Sequence, residues 1–190
     1  MIQKREGHSI DGLSLKLLVF NLMIMKVIDD CFLDALSIDA QKSERLRKNF
    51  NLHNYSSDPI QRLLNALEPD TYICPHKHEN PDKRELFLPV RGRFVVVIFD
   101  DFGNIVSAVR LSENSSAKIV EIVPKVWHTL LCEESGTVYF EVKDGPYDAC
   151  LDKNFATWAP EEFSPLANKY LNDLKERLVV FERLSNNDLK

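Results

Sequence analysis

The sequence predicts an all-β fold, a jelly-roll barrel preceded by a helical segment and followed by a helix. The centre of the chain contains short runs rich in β-branched and aromatic residues, divided by turn signals, a pattern typical of strands. No strand-helix alternation and no glycine-rich phosphate loop competes with this interpretation, so many short antiparallel strands favour a jelly roll. The runs cover residues 60–67, 86–90, 94–99, 105–111, 118–123, 129–132 and 137–142.

Two polar stretches connect predicted strands that follow each other closely in the chain. Residues 101–104 and residues 133–136 each contain a glycine and polar side chains that favour tight turns. We therefore expect both stretches to be hairpin connections between neighbouring strands.

Helical spacing is found on the N-terminal side of the predicted strands. Asp29 is a candidate N-cap, and the apolar residues after it predict a helix that ends near Ala40. We expect a further helical turn over residues 45–49. The cations of this turn could hold an anionic ligand, but cations near a helix C-terminus also complement the helix dipole, and we favour that second interpretation. These cations are Arg45, Arg47 and Lys48.

A second helix is predicted near the end of the sequence. Ser164 is a candidate N-cap, and Pro165 suits the first helical turn. The apolar stripe that follows is expected to pack on the barrel or on a partner chain, so a homodimer is left open. The stripe consists of Leu166, Tyr170, Leu174, Leu178 and Phe181.

The composition is that of one soluble globular domain. The chain has 190 residues, of which 44% are hydrophobic and 28% charged, enough for one substantial core. A formal net charge of -5 gives no basic face for nucleic acid, so a nucleic-acid partner is not expected. The four cysteines are dispersed, which argues against a zinc ribbon or a disulfide scaffold and favours reduced thiols in a cytoplasmic protein.

The first 24 residues differ from the remainder of the chain. The apolar run over residues 13–28 is interrupted by polar side chains, is short for a membrane span, and is followed by no signal-peptidase site. We expect Met25 to be the natural start. The expected organisation is an upstream extension over 1–24, a helical segment over 25–58, the barrel over 59–150, and a loop with a helix over 151–190.

The pattern of three histidines and one glutamate indicates a metal site shared between strands. His76 and His78 are two residues apart, and such residues point the same way in an extended strand. Glu85 follows the pair, and His128 comes about fifty residues later. Imidazoles with one carboxylate suit iron, manganese, nickel, copper or zinc and disfavour calcium and magnesium. We expect one divalent transition metal ion here, most simply Fe, Mn, Ni or Zn, with open positions for a small-molecule ligand.

Other polar side chains are candidates to line the same cavity. Arg62 and Asn65 occupy opposite faces of one predicted strand, so only one of them can point inward. Tyr139 and Glu141 share one face of another strand. An inward Glu141 could be a general base, although carboxylates on half-exposed strands more commonly lie at the surface. His53 is expected to be a structural loop residue.

Two further residues beside the histidines have two interpretations each. Cys74 has the strand parity of His76 and His78, so it is expected near the metal, either as a ligand or, more commonly for a buried thiol, as a small hydrophobe. Trp127, next to His128, is expected to serve packing, with lining of the pocket as the alternative.

Two segments resemble the motifs of the cupin superfamily. Residues 70–92 resemble the first cupin motif, and residues 123–128 resemble the second. In these motifs two histidines, a glutamate and a later histidine bind the metal, so the resemblance implies a cupin fold and a ligand set. The implied ligands are His76, His78, Glu85 and His128. The departures from the motifs are Asp70 and Lys125 in place of glycines, Cys132 in place of an asparagine, and extra residues before Glu85.

A narrower resemblance, to the WbuC-type cupin-fold metalloproteins, extends from about residue 25 to about residue 162. Members of that group are associated with bacterial O-antigen and other surface-polysaccharide gene clusters, which implies action on a small sugar-related metabolite. A non-catalytic metal-dependent sugar binder or regulator and an iron-dependent dioxygenase are the alternatives, so whether the protein is an enzyme is left open. The resemblance is carried by residues 45–53, 61–69, 75–78, 140–148 and 158–161.

Overall fold

The computed structural model describes residues 25–187, which form two antiparallel sheets and two helices. Helix α1 spans Asp30–Lys42 and helix α2 spans Ala167–Asn187. The strands are β1 Arg47–Asn51, β2 Ile60–Leu67, β3 His76–Lys77, β4 Glu85–Arg91, β5 Arg93–Phe99, β6 Ile105–Ser112, β7 Val120–Ile122, β8 Trp127–Cys132, β9 Thr137–Asp144 and β10 Asn154–Phe155.

The strand pairing shows the jelly-roll fold directly. One sheet has the order β1-β2-β9-β4-β7, and the other has the order β10-β3-β8-β5-β6. The pairs β2·β9, β3·β8, β4·β7 and β5·β6 are all antiparallel and nest around the β5-β6 hairpin. Such nested pairing, rolled into two facing sheets, is a jelly roll. The predicted jelly roll is confirmed, with its strands hydrogen-bonded as two sheets.

Most predicted strands agree with the observed ones. The seven runs coincide with β2 and with β4 to β9, and every end lies within two residues of its prediction. The hairpin over residues 101–104 is confirmed, since it joins the paired strands β5 and β6. The second predicted hairpin, residues 133–136, is wrong, because β8 and β9 lie in different sheets. Its turn residues predict a reversal of the chain but not the sheet in which the next strand pairs.

The predicted helical turn over residues 45–49 is also wrong. Helix α1 ends at Lys42, where the C-cap Ser43 is already extended, and Leu46 has a φ of 52°, in the left-handed region, which does not fit a helical turn. The chain then continues as β1, an edge strand paired with β2. Phe50 of this strand packs edge-on against Phe32 of α1, with ring centroids 4.7 Å apart. Tertiary packing and sheet pairing therefore decide the conformation of this segment.

Both helices pack on the outer faces of the sheets. Helix α1 begins as predicted, with the Asp29 side chain accepting a hydrogen bond from the Phe32 amide at 2.9 Å. Helix α2 covers the sheet that contains β5 and β8, so it packs on the jelly roll, one of the two alternatives. It begins at Ala167, and Leu166 is therefore outside the helix and 63% exposed. The predicted stripe is corrected to Ala167, Leu171, Leu174 and Leu178.

The space between the sheets is apolar at one end and polar at the other. The apolar end is filled by a cluster that includes Leu67, Phe94, Val96 and Leu111. The polar end holds the buried histidines and acidic residues described below. Within residues 25–187, neither helix has the length and hydropathy that crossing a membrane requires. The predicted extension over residues 1–24 lies outside the described residues.

Candidate metal centre

Strands from both sheets bring four buried side chains together. His76 on β3 and His128 on β8 are direct partners in the register of one sheet. His78 follows β3, and Glu85 is the first residue of β4 in the facing sheet. One ligand atom from each of the four residues lies within 4.8 Å of the others. The structure thus brings together all four residues that the sequence indicates as ligands.

Backbone carbonyl groups fix the orientation of all three imidazoles. His76 Nδ1 lies 3.0 Å from the carbonyl oxygen of Cys74, and His128 Nδ1 lies 2.8 Å from that of Val126. His78 Nδ1 faces the carbonyl oxygen of Asp152. A carbonyl oxygen only accepts, so each Nδ1 carries a proton, and Nε2 is the nitrogen that each ring can offer to a metal ion. This is the arrangement in which histidine binds a metal ion.

Glu85 faces two of these nitrogen atoms. Its Oε1 lies 2.9 Å from His78 Nε2, and its Oε2 lies 3.0 Å from His128 Nε2. Burial acts to raise the pKa of Glu85, but the proximity of the two imidazoles and the charge of Lys143 hold it well below its usual range. The pKa of His76 lies well below its ordinary value because of burial and then the charge of Lys153. An ionised carboxylate beside neutral imidazoles is the protonation state that metal binding requires.

The four residues fit a metal ion. Nitrogen lone pairs and carboxylate oxygens that face each other at about hydrogen-bond distance repel unless a cation lies between them. The Nε2 atom of His78 is buried without a hydrogen-bond partner among the described residues. A divalent ion held by three imidazoles and one carboxylate would satisfy all of these atoms. The cluster can therefore hold a metal.

A buried chain of charges supports the centre from one side. Lys143 Nζ lies 2.7 Å from Asp152 Oδ2 and 3.5 Å from Glu85 Oε1. Lys83 Nζ lies 3.0 Å from Asp152 Oδ1 and donates to the Pro146 carbonyl oxygen at 2.6 Å. The backbone carbonyl of Asp152 is also the partner of His78 Nδ1. Asp152 therefore connects two lysines to two of the candidate ligands.

Sequence reasoning did not single out these supporting residues. Lys143 follows Tyr139 and Glu141 at a spacing of two on β9, so the same alternation could have placed it on the cavity face. Lys83 and Asp152 lie outside the strands, where no periodicity indicates the direction of a side chain.

Glu141 lies on the inner face of β9 and is 7% exposed. Its Oε2 accepts a hydrogen bond from Asn65 Nδ2 at 2.9 Å, and its Oε1 lies 3.9 Å from Lys143 Nζ. Burial, followed by the charge of Glu85, raises the pKa of Glu141 to about 7. The inward orientation, which the sequence analysis treats as the less common alternative, is therefore the observed one, and the group is suited to proton transfer near neutral pH.

The centre opens into a cavity of about 460 Å³ between the sheets. This volume is within the range of small-molecule sites. Apolar, polar and charged side chains share the lining. The apolar walls include Ile73, Phe87, Leu130 and Tyr139. The basic residues of the lining are Arg45, Arg47, Lys48, Lys143 and Lys153, and the acidic ones are Glu85, Glu141, Asp152 and Glu162.

The structure separates the predicted pocket candidates of β2. Asn65 lines the cavity, whereas Arg62 is exposed and does not. The two residues point to opposite faces of the strand, so only Asn65 can reach the cavity. His53 lies at the cavity, and its Nδ1 accepts a hydrogen bond from the Arg62 amide at 3.1 Å.

Cys74 and Trp127 both contribute to apolar packing, and neither belongs to the candidate ligand group. Cys74 lines part of the cavity, but its side chain belongs to the apolar cluster beneath α2, and its thiol is outside the ligand group. Cys74 thus lies beside the pocket as expected, and of its two interpretations the observed one is the small hydrophobe. Trp127 alternates with His128 and points outward, where its Nε1 donates to Asp101 Oδ1 at 2.9 Å.

Arg45 and Arg47, which precede β2, pair with an acidic side chain and do not lie at a helix end. Glu162 lies 3.0 Å from Arg45 Nε and 2.7 Å from Arg47 Nη2. Arg47 also donates to the Tyr72 carbonyl oxygen at 2.8 Å. The favoured helix-dipole interpretation is wrong, because no helix is formed here. Lys48 lines the cavity on the same strand.

The chain is similar to one family model and, more distantly, to several solved structures. Residues 28–111 match the model of a family described as a domain of unknown function, DUF6016. No curated protein matches the chain in sequence. The capsular polysaccharide assembling protein CapF from Staphylococcus aureus is 19% identical over 60% of this chain and 32% of its own, with a TM-score of 0.47. The matched part therefore spans about a third of that protein.

Two other solved structures are similar in the same sense. KdgF from Halomonas sp. is 13% identical over 56% of this chain and 85% of its own, with a TM-score of 0.43. L-ribose isomerase from Cellulomonas parahominis is 16% identical over 60% of this chain and 70% of its own, with a TM-score of 0.46. These likenesses concern the fold alone, and the narrower WbuC-type resemblance stays a prediction.

Proposed function

We propose that the protein is a cupin-fold metalloprotein that binds and transforms a small sugar-related metabolite. The observation that carries this proposal is the convergence of three oriented imidazoles and one ionised carboxylate at the wall of a small-molecule cavity. The ligands would be His76, His78, Glu85 and His128. Iron, manganese, nickel or zinc suits this set of nitrogen and oxygen donors. A metal ion bound there would polarise an oxygen atom of the ligand.

The residues beside the centre support a catalytic role. Glu141 is buried at the cavity wall, and Asn65 orients its carboxyl group. We propose that Glu141 transfers a proton to or from the ligand, while Tyr139 and the apolar walls limit the access of water. Asn65 would act through Glu141 and is therefore a positioning residue.

The biological setting rests on the sequence. The WbuC-type resemblance supports a place in bacterial surface-polysaccharide biosynthesis, such as that of O-antigen. The four cysteines are free thiols in the described structure, which supports the reducing cytoplasm as the location. A non-catalytic sugar binder and an iron-dependent dioxygenase remain the alternatives.

Metal analysis of purified variants tests the centre. Wild-type protein and a His53→Ala control should each bind about one metal ion per chain after reconstitution, because His53 lies outside the ligand group. His76→Ala should bind at least tenfold less under the same conditions. Equal metal content in all three proteins would refute the assignment.

Turnover measurements distinguish the proposal from its alternatives. The metal-loaded protein is incubated with a panel of sugar phosphates and nucleotide sugars, and the products are followed by NMR. Conversion that is lost in Glu141→Gln, with metal content retained, supports the proposal. Binding without conversion supports the binder, and oxygen consumption with bound iron supports the dioxygenase.

A further inference from the structure

Lys153 is an unpaired cation in the cavity. It lies on the segment between Asp152 and β10, and its side chain lines the cavity. Among the described residues, no hydrogen bond or ion pair is found for its Nζ, whereas Lys83 and Lys143 both pair with Asp152. Burial lowers the pKa of Lys153, so its charge is poorly compensated by solvent.

Lys153 shares the cavity with the metal centre. Its side chain lines the same cavity as His76, Glu85 and His128, and it directly follows Asp152, whose carbonyl oxygen faces His78 Nδ1. The ammonium group therefore lies within electrostatic reach of the ligand-binding end of the cavity. A ligand that contacts the metal centre would approach this group as well.

The charges around the centre are unbalanced once a metal ion is bound. A divalent ion and three lysines face only three carboxylates, and Glu85 is then committed to the metal. The lysines are Lys83, Lys143 and Lys153, and the carboxylates are Glu85, Glu141 and Asp152. This local excess of positive charge contrasts with the formal net charge of -5 of the whole chain. A cavity with a local excess of positive charge attracts and retains anions.

A partly buried ammonium group without a partner is unfavourable unless a ligand compensates it. The neighbouring cations offer a comparison, since Arg45 and Arg47 at the same cavity are already paired with Glu162. Lys153 has no such contact partner in the described part of the chain, and it is less exposed than Lys48, the other cation of the lining without one. The missing partner would come from the ligand.

We propose that the natural ligand is an acid, a small polar molecule whose carboxylate or phosphate group pairs with Lys153 while its other oxygen atoms face the metal centre. This inference rests on the proposed metal-binding function and specifies the ligand class of that site. The cavity volume of about 460 Å³ accommodates a molecule of the size of a sugar acid or a sugar phosphate.

Calorimetric titration of the cobalt-loaded full chain tests the proposal. The probes are glycerate against glycerol, acetate against acetamide, and inorganic phosphate. Wild-type protein should bind at least one acid about tenfold more tightly than its neutral partner, or bind phosphate where the neutral probes do not bind, because a poorly solvated charge pair is strong. The carboxylate and phosphate arms then identify which anion the site prefers.

Variants of two lysines separate a specific pair from general attraction. Lys153→Gln should lose most of the preference for acids, Lys153→Arg should keep it, and Lys118→Gln should change it little because Lys118 is exposed and lies outside the cavity lining. Equal binding of acids and neutral partners, no binding of any acid, or the same preference in Lys153→Gln would overturn the inference. Failure of the protein to bind cobalt would instead refute the proposed metal centre.

Discussion

Asp152 shows how a residue outside the ligand set can control it. Its backbone carbonyl orients His78, and its carboxylate lies between Lys83 and Lys143, the second of which reaches Glu85. The pKa of Asp152 is lowered because the two lysines outweigh the effect of burial. The positions of His78 and Glu85 therefore depend on Asp152, which lies on an irregular segment, and on the lysines that pair with it.

We predict that Asp152→Asn weakens both folding and metal binding. The substitution leaves two buried ammonium groups without their carboxylate, a change that typically costs about 3–5 kcal/mol. Metal affinity should fall about tenfold, as for other changes behind metal ligands. Urea denaturation and a metal titration measure the two effects. Asp144→Asn is the control. It weakens only an exposed ion pair with Arg84, so stability and metal affinity should change little.

Gly92, which lies between β4 and β5, provides a second prediction about a single residue. Gly92 has a φ of +74°, and a Cβ there would lie 2.5 Å from Thr137 Oγ1 and 2.9 Å from Thr137 Cα. Gly136 has the same φ, but its nearest atom would be 3.9 Å away. Gly136→Ala should therefore cost about 1–2 kcal/mol from backbone strain alone, and Gly92→Ala should cost clearly more. Equal losses in chemical denaturation would show that the contact with Thr137 does not matter.

At the scale of elements, β9 distributes its side chains between two functions. Tyr139, Glu141 and Lys143 face the cavity, whereas Val138 and Phe140 belong to the cluster under α1. The sequence predicts this alternation because a regular strand has a period of two. Segments without a period are different, since nothing in the sequence directs Asp152 or Lys153 towards the cavity. The regular strands and the histidine group were thus predictable from the sequence. The part of the cavity wall formed by Asp152 and Lys153, which lie outside the strands, was not.

We predict that helix α2 stabilises the fold without taking part in metal binding. Leu174 lies on the buried face of this helix and is 1% exposed, so Leu174→Ala should cost about 2–5 kcal/mol. Leu166→Ala should have little effect, because Leu166 is exposed before the helix begins. Thermal melting measures both changes, and metal content per folded chain should remain that of the wild type. A loss of metal in Leu174→Ala at low temperature would contradict the separation.

The whole molecule has an apolar core that does not include the metal centre. The cluster between the sheets and the clusters under the two helices contain none of the four candidate ligands, and they meet the metal centre only at the cavity wall. A structural zinc site, in contrast, replaces the core of a small domain and is required for folding. The metal is therefore expected to serve ligand binding rather than to hold the fold together.

We predict that the metal-free protein stays folded. Removal of the metal with a chelator should retain the β-sheet signal in circular dichroism and a cooperative melting transition. The melting temperature should fall only by the contribution of the lost binding equilibrium. Conversion to an unfolded spectrum on chelation would show that the metal is structural.

X-ray absorption at the edge of the bound metal tests the ligand set most directly. We predict scattering from three imidazole rings and one carboxylate, with nitrogen and oxygen atoms at about 2.0–2.2 Å. His128→Ala should remove one ring from the spectrum, and Glu85→Gln should change the oxygen contribution. A sulfur atom at about 2.3 Å would place Cys74 or another thiol among the ligands. That result, or a spectrum without imidazole scattering, would contradict a centre formed by His76, His78, Glu85 and His128.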